Sequence, residues 1–189
     1  GAMSVMGYEE RKSAYRPLIP GTRFIDFNDV DAINNISKKT AAIILETIQG
    51  GAGFIVPKKG YLKRIKKRCE EVGALLILDE IQPGLGRTGK LFAFMDHDMV
   101  PDILVTGKGL GGGLPVGAFI AAQYHMAHLK EAPSLGHITT FGGNPVIAAA
   151  CRATLSTILS GNLMEETLEK EKLFRELLIH SKIKDIRGK

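Results

Sequence analysis

The sequence predicts an α/β domain built as three layers, a mostly parallel sheet with helices on both faces. Three observations predict it. Continuous apolar runs recur at Ala41-Ala42-Ile43-Ile44-Leu45, Ala74-Leu75-Leu76-Ile77-Leu78 and Ile103-Leu104-Val105, as expected of strands covered on both faces. Between the first two lies a segment with helical spacing, Leu62, Ile65, Cys69 and Val72. Strands alternating with helices in this way imply parallel pairing through crossovers.

Taken in order, the opening Gly1-Ala2-Met3 reads as a cloning remnant outside the fold. Residues 4–22 are polar and punctuated by Tyr15-Arg16-Pro17 and Ile19-Pro20-Gly21, which suggests an extended arm. Arg23-Phe24-Ile25-Asp26-Phe27 alternates like a half-buried strand, and Asp29 is placed to cap a short helix through Asn35. The strand expected over Val116–Ala122 follows the preceding one too closely for a crossover helix, so it runs antiparallel or sits elsewhere in the sheet. Asn144-Pro145 starts a helix with Asn as cap and Pro in the first turn, and Gly161 stops it. A last helix is expected from about Leu163 to His180, its stripe of Leu168, Leu173 and Leu177 suiting a partly exposed linker over residues 162–189.

Bulk properties exclude several classes. With 189 residues, 44% hydrophobic and 24% charged, the chain is globular with one core and is neither a repeat nor a disordered protein. Its net charge of +5 owes much to the run Lys58 to Arg68, which reads as the outer face of one amphipathic helix. Only Tyr61 is interleaved there and no nucleic-acid module accompanies it, so no nucleic-acid partner is expected. Cys69 and Cys151 have no Cys or His at metal spacing and read as reduced thiols, with no metal site. No apolar run is long enough to span a bilayer and no charged-then-apolar leader is present, so the expectation is a cytoplasmic chain with no membrane partner.

Chemistry concentrates where the predicted strands end. Lys108 follows the apolar strand and opens into Gly109-Leu110-Gly111-Gly112-Gly113, placing an amine where ligands bind in open α/β sheets. Partial burial there would favour its neutral, nucleophilic form; the alternative is a solvated strand-end lysine. Asp79 closes another strongly apolar strand, where a carboxylate is costly unless a cation or hydrogen-bond donors meet it. The alternative for Asp79 is a cap or an ion pair. Two look-alikes compete. Gly84-Leu85-Gly86-Arg87-Thr88-Gly89 spells a dinucleotide fingerprint but lacks the helix of several turns that should follow, and Asp102 precedes a strand instead of ending one. Extended through Lys90-Leu91, the same loop nearly spells a triphosphate-binding loop, but Leu91 stands where a hydroxyl must reach the metal. A nucleotide-binding α/β domain using Gly84–Lys90 is therefore the second reading.

Four ordered blocks carry a more specific resemblance: Glu46-Thr47-Ile48-Gln49-Gly50-Gly51-Ala52-Gly53, Leu78 through Gly89, Thr106 through Ala118, and Thr139-Thr140-Phe141-Gly142-Gly143-Asn144-Pro145. Together they resemble the class III pyridoxal-phosphate aminotransferases, of the acetylornithine and ornithine kind. The resemblance implies the fold type I transferase architecture, with residues 23–161 as part of the cofactor-binding large domain and a C-terminal small domain beyond this chain. It implies transfer of an amino group from an amino donor to a 2-oxo acid with pyridoxal 5'-phosphate as cofactor. Lys108 would form the aldimine with the cofactor and shuttle the proton, Asp79 would pair with the pyridinium nitrogen, and Gln82 would hydrogen-bond the ring hydroxyl. Ile81 would pack on the ring, Glu46 would lie beside the substrate, and Thr140 would reach the phosphate held by the other subunit of a homodimer.

The sequence also departs from that pattern. The upstream Gly-Ser phosphate turn, the aromatic residue stacked on the ring and the downstream substrate-carboxylate arginine are not found in it, so a central large-domain fragment, inactive by itself, is expected. Thr47 stands where many relatives have Pro, and Gly51 stands where ornithine and acetylornithine enzymes usually have Glu. The donor is thus left as an unspecified amino acid or ω-amine.

Overall fold

The computed structural model describes residues 1–131, 133–134 and 137–189. Its centre is a four-stranded sheet in the order β1 (Ala42–Glu46), β2 (Leu75–Asp79), β3 (Ile103–Gly107) and β4 (Gly117–Ala121). The first three strands run parallel, and β4 lies antiparallel to β3. The short Lys108–Val116 link leaves β4 only a return beside its predecessor, so the mostly parallel sheet forms as the apolar runs predict. Helices are α1 (Ala2–Val5), α2 (Glu9–Lys12), α3 (Tyr61–Val72), α4 (Gln123–Ala127), α5 (Pro145–Ser160) and α6 (Leu163–Leu177).

The core forms where α3 meets the sheet. Leu62, Ile65 and Cys69 recur at helical spacing and are fully buried with Leu76 and Leu78 of β2, in one cluster with the largely buried Leu104 of β3. Each such aliphatic side chain contributes about 1.5–3 kcal/mol on burial. Lys63, Arg64 and Lys67 face solvent, as the amphipathic reading requires. Lys66 is turned inward onto Asp102 at 2.8 Å, and Asp102 also accepts from the Leu76 amide at 2.8 Å, tying α3 to the starts of β2 and β3. Burial disfavours the Lys66 ammonium, but the Asp102 carboxylate outweighs it and holds the pKa above the ordinary lysine value. Cys69 and Cys151 are both free thiols.

Several expected elements differ. The arm over residues 4–22 is not extended throughout: α1, α2 and a 3-10 turn at Ser13–Tyr15 fold it back, with Ile19 N donating to Ser4 Oγ at 3.0 Å and Lys12 lying over the Phe24 ring. Residues 23–27 form no strand. Their alternation serves packing instead, since Phe27 meets Tyr61 edge-on at 5.3 Å and the Tyr61 hydroxyl donates to Asp26 O at 3.4 Å. Asp29 does cap the following 3-10 turn, Asp31–Asn35, accepting from the Asp31 and Ala32 amides. β1 is not covered on both faces, for Ile44 is 45% exposed.

At the C-terminal end, Asn144 caps α5 through the Val146 and Ile147 amides, as the Asn-Pro pair predicts. Helix α6 stops at Leu177, short of His180, because Arg175 reaches out to the Ile186 and Gly188 carbonyls and folds the following segment back. Among the described residues no single helix is long and apolar enough to cross a membrane.

Candidate active site

The sheet register decides which side chains meet. Glu46 of β1 pairs with Asp79 of β2, which pairs with Val105 of β3, so the two carboxylates stand side by side at neighbouring strand ends on one face. Adjacent like charges repel across a sheet. Each turns to its own loop: Glu46 accepts from the Gly50 amide at 2.9 Å and Asp79 from the Ile81 amide at 2.9 Å. Among the described residues no lysine or arginine forms an ion pair with either.

Lys108 arrives at the same edge from β3. It has φ of 44°, a left-handed conformation that a lysine rarely adopts, and begins the 3-10 turn Lys108–Gly111. That turn packs under α5, where Thr154 lies so close to Gly112 that an added Cβ would come within 2.5 Å of its hydroxyl. The Lys108 Nζ donates to Gln82 Oε1 at 3.1 Å. Gln82 in turn lies across Gly50, where a Cβ would sit 2.5 Å from its Nε2. Ile81 leans over bare Gly107, with 3.7 Å from its Cγ2 to the place a Cβ would occupy.

Glu46, Asp79, Ile81, Gln82 and Lys108 are therefore gathered by three strand ends. Thr140 is not brought to them: it is exposed in the segment before α5, with no hydrogen bond to the group. Lys108 is exposed as well, which corrects the expectation of a partly desolvated amine; in this chain its orientation comes from the backbone turn and Gln82, not from burial. Two concavities of about 700 and 1170 Å3 lie elsewhere, one along the arm and one between α3 and Tyr124, and neither includes a residue of this group.

Sequence reasoning passed over Glu80. It is fully buried and accepts from the Thr47 hydroxyl at 2.6 Å, the Ala93 amide at 3.0 Å and the Phe94 amide at 2.8 Å. Burial pushes its carboxyl above the ordinary range, and these hydrogen bonds pull only part of the way back. The signal was available, since Leu76, Leu78 and Glu80 alternate onto the covered face while Asp79 points to the other.

The Gly84–Lys90 loop does not form a phosphate cradle. Its Leu85 and Gly86 amides both donate to Leu91 O, Gly84 N donates to Glu80 O and Gly89 N to Gly86 O, so these donors are spent within the loop. No helix of several turns follows, only a 3-10 turn at Ala93–Asp96. Gly86 and Gly89 instead admit α6, whose Met164 and Leu168 lie within 3.1 and 2.9 Å of where Cβ atoms would be.

Comparison with known proteins identifies the architecture. The family model described as aminotransferase class-III matches residues 2–189. The chain belongs to the class-III aminotransferases. An acetylornithine aminotransferase of Methanopyrus kandleri is 42% identical over 193 residues, which cover 100% of this chain and 49% of the relative. Among solved structures, an ornithine aminotransferase from Toxoplasma gondii superposes with a TM-score of 0.85 at 39% identity, covering 100% of this chain and 46% of its own. That structure shows partial occupancy of PLP at its active site. The acetylornithine aminotransferase from Elizabethkingia anophelis gives 0.76 at 39% identity, over 85% of this chain and 40% of its own. This class-III aminotransferase chain thus spans about half the length of the relatives it matches, and its sheet is that of the fold type I transferases.

Proposed function

We propose that this chain provides the catalytic sheet edge of a pyridoxal-phosphate-dependent transaminase that moves an amino group from an amino acid or ω-amine to a 2-oxo acid. The observation that carries the reading is the convergence of the Lys108 amine, held by Gln82, with Asp79, a strand-end carboxylate beside a second one and without a cationic partner among the described residues. A protonated pyridine ring supplies the positive charge that pair of carboxylates calls for, so the residues present fit the cofactor.

In this reading Lys108 would hold the cofactor through its amine and would move a proton at the substrate's α-carbon. Asp79 would pair with the ring nitrogen and would favour its protonated form, because a neighbouring carboxylate favours the charged form. When bound, the cofactor supplies an electron sink for the α-carbon. Ile81 would pack against the ring, Gln82 would hydrogen-bond its hydroxyl, and Glu46 would lie on the substrate side. Thr140 serves the phosphate bound in a partner copy of a homodimer, which accords with its exposure away from the Lys108 group. The enzyme works in the cytoplasm. By itself the 189-residue chain gives no turnover, since an exposed Lys108 on an open edge leaves the reacting groups in water.

The test is reductive trapping. Borohydride added to the full-length enzyme with pyridoxal phosphate should fix the label on Lys108, and Lys108→Ala should abolish both the label and the visible absorption band. A label found on another lysine overturns the assignment.

A further inference from the structure

On the face opposite Asp79, the strand ends carry a second row. Thr47, Glu80 and Thr106 each follow a member of the registered trio Glu46, Asp79 and Val105, and all three are buried, at 0%, 0% and 2% exposure. Glu80 is the hub. The Thr47 hydroxyl ties it to the end of β1, while the Ala93 and Phe94 amides tie it to the segment that follows the glycine loop. Thr106 Oγ1, next in the row and just before Gly107 and Lys108, has no hydrogen-bond partner among the described residues.

A buried carboxylate with no cation is costly, and here it is offset only by charge-assisted donors. Those donors share one geometric property. The loop that leaves β2 at Glu80 comes back at Ala93 and Phe94, so a single carboxylate closes both ends of the segment that carries Ile81 and Gln82. Its backbone amide also donates to Val105 O at 2.8 Å, fixing the same residue to β3.

We propose that Glu80, anchored by Thr47, is a positioning residue that holds Gln82 against the amine of Lys108. Glu80 touches none of the reacting groups; it acts through the loop. The proposal rests on the reading of Lys108 as the reacting amine, and two measurements separate the two claims. The first uses no cofactor: limiting acetic anhydride on the full-length protein, with peptide mapping, gives the acetylation of Lys108 relative to Lys63 and Lys67, which are exposed on α3. The second is borohydride trapping with pyridoxal phosphate.

Thr47→Val removes the hydroxyl at nearly constant volume, Thr47→Ser keeps it, and Glu80→Gln removes the charge. Thr47→Val and Glu80→Gln should change the Lys108 to Lys63 ratio about fivefold, the effect of one ordinary hydrogen bond, and Thr47→Ser should restore the parent ratio. A role limited to stability would lower the unfolding midpoint of Thr47→Val and leave the ratio in the folded protein unchanged. A folded Thr47→Val protein with the parent ratio overturns the proposal. If Glu80→Gln does not fold, the Thr47 pair decides alone. Absence of trapped cofactor on Lys108 in the parent defeats the catalytic reading, while the acetylation ratios still decide whether Glu80 positions the loop.

Discussion

Replacing Gly50 by Ala separates the geometry of the site from the stability of the fold. A methyl group there would stand 2.5 Å from Gln82 Nε2, 2.6 Å from its Cδ and 2.8 Å from its Oε1, where ordinary contact begins at 3.4 Å. The amide must therefore retreat by about 1 Å, since ridges of packed atoms do not interpenetrate. The Lys108 Nζ to Gln82 Oε1 distance of 3.1 Å would then open toward 4 Å, past hydrogen-bonding range. Gln82 is a flexible side chain, so the fold loses only the cost of a shifted rotamer, about 0.5–1.5 kcal/mol. The companion Gly84→Ala presses its methyl to 2.5 Å from the Glu80 backbone carbonyl, which cannot swing aside, and should cost about 1–3 kcal/mol. Urea unfolding followed by circular dichroism gives the two stabilities, and borohydride trapping of pyridoxal phosphate on Lys108 gives the function. Gly50→Ala should unfold close to the parent and trap poorly; Gly84→Ala should unfold earlier. A Gly50→Ala protein that traps cofactor like the parent refutes the claim that Gln82 orients Lys108.

Three further outcomes follow from other parts of the fold. Glu80 has a folded pKa raised above its usual 4.5, so its contribution to stability is fully present below that pH and is lost as pH rises through the folded value. Because a glutamine does not titrate, the stability of the parent relative to Glu80→Gln should fall between pH 4 and pH 8 in paired urea titrations, and a gap that widens with pH contradicts the sign. Burial pushes the Cys69 thiol up to about 11, so at pH 8 a thiol reagent should leave it unlabelled in the native protein and reach it only on unfolding, as read by peptide mass. Asn144→Ala removes the acceptor of two α5 amides and should cost about 1 kcal/mol, visible as a lower thermal midpoint.

Much of this was legible in the sequence because burial imposes periodicity. Leu62, Ile65 and Cys69 are recognisable because one helix stripe faces a sheet, and Leu75 to Asp79 because β2 lies between two neighbours. Asp79 and Lys108 stood out because each follows such a run, whereas Gln82, Ile81 and Glu46 came only from the family resemblance; the strand order then makes the ends of β1, β2 and β3 adjacent. What failed depended on partners far away in sequence. Arg23–Phe27 alternates as a strand would, yet no ladder takes it up, because Tyr61 offers an aromatic surface that alternation also satisfies. The arm looked extended because nothing local announces that the Ile19 amide will meet Ser4.

Glu80 shows why a pair of adjacent acids must be read by face and not by charge. In a strand, neighbours point to opposite sides, so Asp79-Glu80 cannot be one acidic cluster: a single residue step separates a half-buried carboxylate from one that is wholly enclosed. The first has one amide donor and stays partly open to solvent, an environment in which a carboxylate can still meet a positive charge. The second has three donors and no cation, the environment in which a carboxylate fixes the chain. Exchanging the two by a one-residue register slip of β2 would place Asp79 under α3 beside Leu78's present partners and expose Glu80, leaving a short, uncapped acid in the core and no anchor for Ala93 and Phe94. The apolar pattern of Leu76 and Leu78 opposes that slip with every side chain it buries, so the helix packing that stabilises the sheet also assigns which of the two acids is available for chemistry.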